Sequence, residues 1–174
     1  MALFAGNIDD LRSLYVTQLR YLMSTEEQII DALPKMVDAA TDTQLKQALQ
    51  NHLRETEAQR DRLDGILNDL QGDNDDKKCS VTAALISAGQ TTIKAANDNA
   101  VRDAGIIAAA QKIEHFEIAS YGSARDWAKL LGETQHAQLL QATLDEEKQA
   151  DKLLTQISEQ RNPEAAGSVS SAAA

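Results

Sequence analysis

Four long stretches of the sequence repeat apolar residues at helical spacing, and each interrupts its apolar stripe with glutamate. The first stripe runs Ile8, Leu11, Tyr15, Leu19, Leu22, Glu26, Ile29, Leu33, Val37 and Ala40. The second runs Leu45, Leu49, His52, Glu55, Gln59, Leu63, Ile66 and Leu70. The third runs Asp103, Ile107, Ala110, Glu114, Glu117, Tyr121, Ala124, Ala128 and Leu131. The fourth runs His136, Leu140, Thr143, Glu147, Ala150 or Asp151, Leu154 and Ile157. Five glutamates therefore sit where a helical bundle would carry leucine. An ionised carboxylate withdrawn from water without a partner costs several kcal/mol. The cations close by in sequence, Arg54, Lys112 and Lys148, fall off the stripes. Two divalent or trivalent metal ions would bring about four to six positive charges and accept hard oxygen ligands. Without such ions, burial should hold some of these glutamates protonated at neutral pH.

Length and composition narrow the rest. A chain of 174 residues suits one domain with one core. Aromatic residues make up only 3% and there are two prolines, so an all-α fold is expected. A formal charge of −10 disfavours nucleic acid and anionic membrane surfaces as partners. The single cysteine, Cys79, has no partner for an intrachain disulfide, and Met1 to Asp10 lacks the pattern of a secretory leader. A cytoplasmic protein is expected. No apolar run is long enough to span a bilayer as a helix.

The stripes and turn signals set element boundaries. A first helix is expected from about Ile8 to Ala40, capped by Asn7, with a kink or break before Pro34. Thr41 to Thr43 separate it from a second helix, about Gln44 to Leu70. The run Gln71 to Lys78 (QGDNDDKK) reads as a solvated loop, after which Ser80 caps a short helix of about Val81 to Ala96. Its length suits a crossover between the ends of a bundle. The third long helix follows Asn97 to Asn99 and ends near Leu131, with Gly132 as its C-terminal cap. Thr134 caps the fourth, about Gln135 to Gln160. The chain thus divides into a helical domain over 1–160 and a tail over 161–174, expected to be disordered from Pro163 onward.

A weak internal repeat points to a two-fold site. Glu26 precedes Glu55 by 29 residues and Glu117 precedes Glu147 by 30. Each second glutamate is followed four residues later by an oxygen donor, Gln59 or Asp151, about 6 Å along a helix axis. His52, one turn before Glu55, is read first as a hydrogen-bonding support. His115 points about 100° away from Glu114, and His136 lies about 16 Å along its helix from Glu147, so neither is expected as a ligand. Tyr121 and Trp127 are read as packing, and Glu27, Glu57 and Glu146 as solvated.

The segments AAQKIEHFEIASYG (Ala109 to Gly122), STEEQ, HLRETEAQRDRLD and TLDEEKQADKLL resemble the bacterial YciE/YciF stress-protein family of ferritin-like proteins. The resemblance extends to about residue 160. It implies a ferritin-like four-helix bundle with a short crossover helix between the second and third long helices. It also implies a dinuclear iron or manganese centre, similar to that of rubrerythrin, with Glu26, Glu55, Glu114, Glu117 and Glu147 at the carboxylate ligand positions. On that analogy Glu114 and Glu147 would bridge, Glu26 and Glu55 would be terminal, and Glu117 would move with oxidation state. The sequence departs from the usual Glu-x-x-His pattern, because Ala58 and Ala150 stand where histidines are expected. Gln59 and Asp151, one position further on, are the candidate substitutes, the alternative being a site built mainly from oxygen. The implied activity is oxidation of Fe(II) or breakdown of hydrogen peroxide, with peroxide or oxygen as the small-molecule substrate. An iron-sequestering storage protein and a non-catalytic helical adaptor are the alternatives. A homodimer is expected, since Ile106, Leu130 and Leu139 exceed what one bundle buries.

Overall fold

The computed structural model describes residues 8–70 and 78–171, with side chains through residue 167. Five α-helices account for nearly all of them: α1 (Leu11–Ala39), α2 (Thr43–Asp69), α3 (Ser80–Ala95), α4 (Asn99–Leu130) and α5 (Thr134–Ser171). Among the described residues there is no strand. The expected loop lies outside the described residues except for Lys78, as does the expected cap Asn7.

Aspartates open three of the helices. Asp10, rather than Asn7, caps α1: its carboxylate accepts the Ser13 N–H at 2.7 Å while the Ser13 hydroxyl accepts the Asp10 N–H at 3.1 Å. Asp42 caps α2 through the Leu45 N–H at 2.7 Å, and Asp98 caps α4 through the Val101 N–H at 3.0 Å. These oxygens satisfy amide donors that the first turn leaves free. Ser80 does not cap α3; Cys79 holds that position without a side-chain bond. The start of α3 is fixed from α1 instead, by the Ser24 hydroxyl on the Cys79 N–H and the Gln28 amide on the Cys79 carbonyl, both at 3.1 Å.

Neither proline interrupts its helix. At Pro34 a single backbone donor is lost, and Leu33 and Met36 beside it are buried in the apolar core, so α1 runs on to Ala39. At Pro163 the expected tail is helical through Ser171; residues 172–174 lie outside the described residues. There Arg161 pairs with Glu164 on α5 and reaches Asp42 at the head of α2, which ties the last turns to the body of the fold. Gly132 closes α4 with φ of 79°, where a Cβ would strain the backbone. The Glu133 N–H returns to the Ala128 carbonyl at 2.9 Å and the Gly132 N–H to that of Lys129 at 3.2 Å.

The buried apolar residues form two clusters. One joins the end of α1 (Ile29, Leu33) to the start of α2 (Leu45, Leu49), the start of α4 (Ile106, Ile107) and the later part of α5 (Leu154, Ile157). The other joins the start of α1 (Tyr15, Leu19) to the end of α2 (Leu63, Ile66), the end of α4 (Ala124, Ala128) and the start of α5 (Leu140, Leu144). It follows that α1 and α2 run antiparallel, as do α4 and α5. The chain leaves α2 at one cluster and enters α4 at the other, and α3 spans the difference while packing on α4 and α1. Gly89 permits close approach, because a Cβ there would stand 2.9 Å from that of Ala109. Of the residues expected to favour a dimer, Ile106 is fully buried in the first cluster, whereas Leu130 and Leu139 are exposed. No described helix is long and apolar enough to cross a membrane.

Asp103, fully buried on α4, accepts the Thr41 N–H and hydroxyl at 2.7 Å each and the Asp42 N–H at 2.8 Å. It therefore fixes the α1–α2 corner to α4. Asp103→Ala removes a charged acceptor and strands these donors, and should lower unfolding free energy by about 3 kcal/mol in urea titrations. A loss below about 1 kcal/mol would show that water replaces the carboxylate freely.

Candidate metal centre

Between the two apolar clusters lies a polar layer to which four helices contribute. On α1, Glu26 falls between Leu22 and Ile29. On α4, Glu114, Glu117 and Tyr121 occupy one face at i, i+3 and i+7. On α5 the layer contains Thr143 and Glu147, and on α2 it contains His52, Thr56 and Gln59. Glu26 and Glu147 are fully buried, Glu117 is 1% exposed and Glu114 2%. One donor atom from each of His52, Glu114, Glu117 and Glu147 can be chosen so that all lie within 4.8 Å of one another.

The expected ligand set and the observed layer differ at two positions. Glu55 is not on the buried face of α2: its side chain is 49% exposed, and its Oε2 stands 3.6 Å from His52 Nδ1 at the solvent edge of the layer. The buried row steps from His52 to Thr56 to Gln59 instead of through Glu55. Asp151 lies away from the layer, accepting the Gln111 amide at 3.2 Å and facing His115 Nε2 at 3.5 Å. The two-fold pattern of the sequence therefore stops at Glu147. Gln59 does belong to the layer, and its Nε2 donates to Glu147 Oε1 and, at 3.1 Å, to Glu146 Oε2. Glu146, expected in solvent, is clamped by Arg62 in a two-pronged contact at 2.6 and 2.8 Å.

His52 is central to the group, with Nε2 3.4 Å from Glu114 Oε1 and 3.9 Å from Glu147 Oε2. Its position on the apolar stripe was the available signal; the spacing to Glu114 and Glu147 on other helices was not readable. His136 lies far from this layer, between Asp69 and Glu133, as the helical rise required. Tyr121, read as packing, also donates its hydroxyl to Glu26 Oε1.

Electrostatics follow from this crowding. Burial, reinforced by the Glu147 charge, pushes Glu26 up to about 8 against the Tyr121 bond that favours its anion. Burial raises Glu114 well above the usual carboxylate range, with His52 opposing and Glu147 adding to the shift. Glu117 is raised well above it too, by burial and by Glu26, Glu147 and Glu114. For His52 burial acts downward, but Glu114, Glu55, Glu147 and Glu26 outweigh it and carry the imidazole up to about 10. Even so, Glu26 Oε2, Glu114 Oε2, both oxygens of Glu117, Glu147 Oε2 and His52 Nδ1 have no hydrogen-bond partner. Buried polar atoms are rarely left so. A cation among them would engage these oxygens, so the donor set fits a hard metal ion.

Residues 10–167 match the family described as a domain of unknown function, DUF892. Protein YciF of Escherichia coli (strain K12) is 38% identical over 152 residues, 87% of this chain and 92% of that protein. The crystal structure of the E. coli stress protein YciF is similar with a TM-score of 0.86 at 36% identity, over 90% of this chain and 99% of that one. YcfI from Rhodopseudomonas palustris, to which a structural role has been assigned provisionally, gives 0.84 at 37% identity, over 88% and 98%.

The sign of the pH dependence of the metal-free chain follows from these shifts. Glu26, Glu114, Glu117 and His52 all bind protons more tightly folded than unfolded. Their contribution is complete below the unfolded values, near 4.5 for glutamate and 6.5 for histidine, and is lost as pH rises through the folded values, about 8 for Glu26 and about 10 for His52. Chelator-treated protein should melt at a lower temperature at pH 9 than at pH 5.5. Glu117→Gln, which removes one titrating group, should flatten that slope; a melting temperature that climbs with pH would contradict the assignment.

Proposed function

Because the chain belongs to the DUF892 family and buries four glutamates around one histidine, we propose that it is a ferritin-like four-helix bundle holding two iron or manganese ions. On this reading it serves stress defence by oxidising Fe(II) or breaking down hydrogen peroxide. The observation that carries the reading is the set of buried, unpartnered oxygens on Glu26, Glu114, Glu117 and Glu147. Ionised, as ligation requires, the four carboxylates carry four negative charges in a layer closed by apolar clusters on both sides. Protein side chains do not supply the balance there, and two metal ions would.

His52, Glu114, Glu117 and Glu147 would hold the ions, with Glu26 beside Glu117 and Glu55 reaching in from the solvent edge. Asp151 is left out of the proposed donor set, because its Oδ1 faces Gln111 and His115, away from the layer. Gln59 orients Glu147 and Tyr121 orients Glu26, each through a direct hydrogen bond. Arg62 fixes Glu146, whose other contact is the Gln59 amide, so the α2–α5 side of the layer is braced. Protons that Glu114 and Glu117 retain when no ion is bound must leave on binding, which makes affinity rise with pH. The apolar clusters exclude bulk water from both ends. When bound, iron or manganese supplies the redox chemistry toward oxygen or peroxide.

Purified protein reconstituted with Fe(II) or Mn(II) and analysed for metal should retain about two ions per chain. Glu114→Ala with Glu117→Ala should abolish retention, and His52→Ala should weaken it by about 10- to 100-fold. Oxygen release from peroxide, set against Fe(II) oxidation in air, then separates the two activities, and solution mass separates a homodimer, supported by exposed Leu130 and Leu139, from a storage cage. The ion pairing of His52 with Glu114 and Glu147 favours a second reading, a metal-free helical adaptor. Protein that takes up no metal would establish that reading and end the first.

A further inference from the structure

A second feature lies apart from the polar layer, where α3 crosses α1 and α4. A cavity of about 450 Å³ opens there, within the size range of small-ligand sites. Met36, Leu85, Ile86, Ile93 and Ile113 supply its apolar walls, and the short side chains of Ala32, Ala39 and Ala109 leave the space unfilled. Gly89, where an added Cβ would stand 2.9 Å from that of Ala109, lets α3 approach α4 along one side of the cavity.

The charge at this cavity departs from that of the chain. Acidic residues outnumber basic ones by 27 to 17 overall, yet no aspartate or glutamate lines the cavity. Its charged lining residues are Lys35 on α1 and Lys94 in the last turn of α3, with Gln90 as the further polar group. Both lysines are exposed and neither forms an ion pair among the described residues. Asp31, one turn before Lys35, lines an adjoining groove with Gln28 and Ser87 and is not paired with it. Two unpaired ammonium groups at the mouth of an apolar cavity are complementary to a molecule with an anionic head and a hydrocarbon body.

We propose that this cavity binds a monomeric alkyl carboxylate, with its chain among Met36, Ile86, Ile93 and Ile113 and its head between Lys35 and Lys94. The site is independent of the metal reading: it shares no residue with the polar layer. A cationic amphiphile would meet two like charges, and a neutral one would leave both lysines without a partner.

Calorimetric titration of the full chain with dodecanoate, dodecanol and dodecyltrimethylammonium, each below its micelle concentration, tests this directly. Dodecanoate should saturate at one per chain and bind about tenfold tighter than either analogue. Lys35→Gln with Lys94→Gln should weaken dodecanoate by about tenfold, from two exposed charge contacts, while leaving the melting temperature unchanged. Ile86→Trp should weaken all binding by filling the cavity. Equal affinity for the three probes, or an unaltered double lysine variant, would overturn the proposal. Capture on phosphatidylglycerol vesicles without uptake of dodecanoate, or a doubling of solution mass in place of uptake, would overturn it too, assigning the face to a membrane or to a second copy. Should the lysine variant fail to fold, the three-probe comparison on the unmodified chain still decides.

Discussion

Charge held out of water governs this molecule. The core is divided because a layer of carboxylates separates two apolar clusters that would otherwise merge. Each apolar cluster draws on four helices, so the helices pack above and below the layer and hold its side chains in register. That scaffold bears the cost of crowding Glu26, Glu114, Glu117 and Glu147 into one space. The remaining polar contacts, Tyr121 to Glu26 and Gln59 to Glu147, restrain orientation without neutralising charge. A layer so organised is stabilised by whatever supplies positive charge, whether protons, the His52 imidazolium or metal.

The fold was largely legible because helical periodicity is a local property. The stripes on α1, α4 and α5 coincide with the buried faces through the polar layer, and aspartates or threonines mark the helix starts. The exception on α2 has a plain cause. From His52 a helical stripe can advance three residues and then four, through Glu55, or four and then three, through Thr56; both lead to Gln59. Spacing does not separate these paths. Burial does, and it favours the smaller Thr56, whose hydroxyl bonds the His52 carbonyl within its own helix at 2.8 Å.

What stayed hidden depended on distances between helices. The approach of His52 to Glu114, the grip of Arg62 on Glu146, and the diversion of Asp151 to Gln111 and His115 all join residues remote in sequence. The proline signals misled for a related reason. Pro34 and Pro163 disfavour helix locally, but buried neighbours in one case and Arg161 in the other override the local preference. The cavity beneath α3 was equally invisible, since alanines at helical spacing read as ordinary packing.

The corner that Arg161 reaches concentrates several constraints in a small volume. Asp42 caps α2, lends its amide to Asp103 on α4, and receives Arg161 from α5. Proteolytic trimming just before Arg161 would strip the guanidinium from a spot where two carboxylates adjoin. Although it would remove only residues that read as dispensable, such a cut would take away the cation through which α5 grips this corner and leave Asp42 held by its cap bond to Leu45.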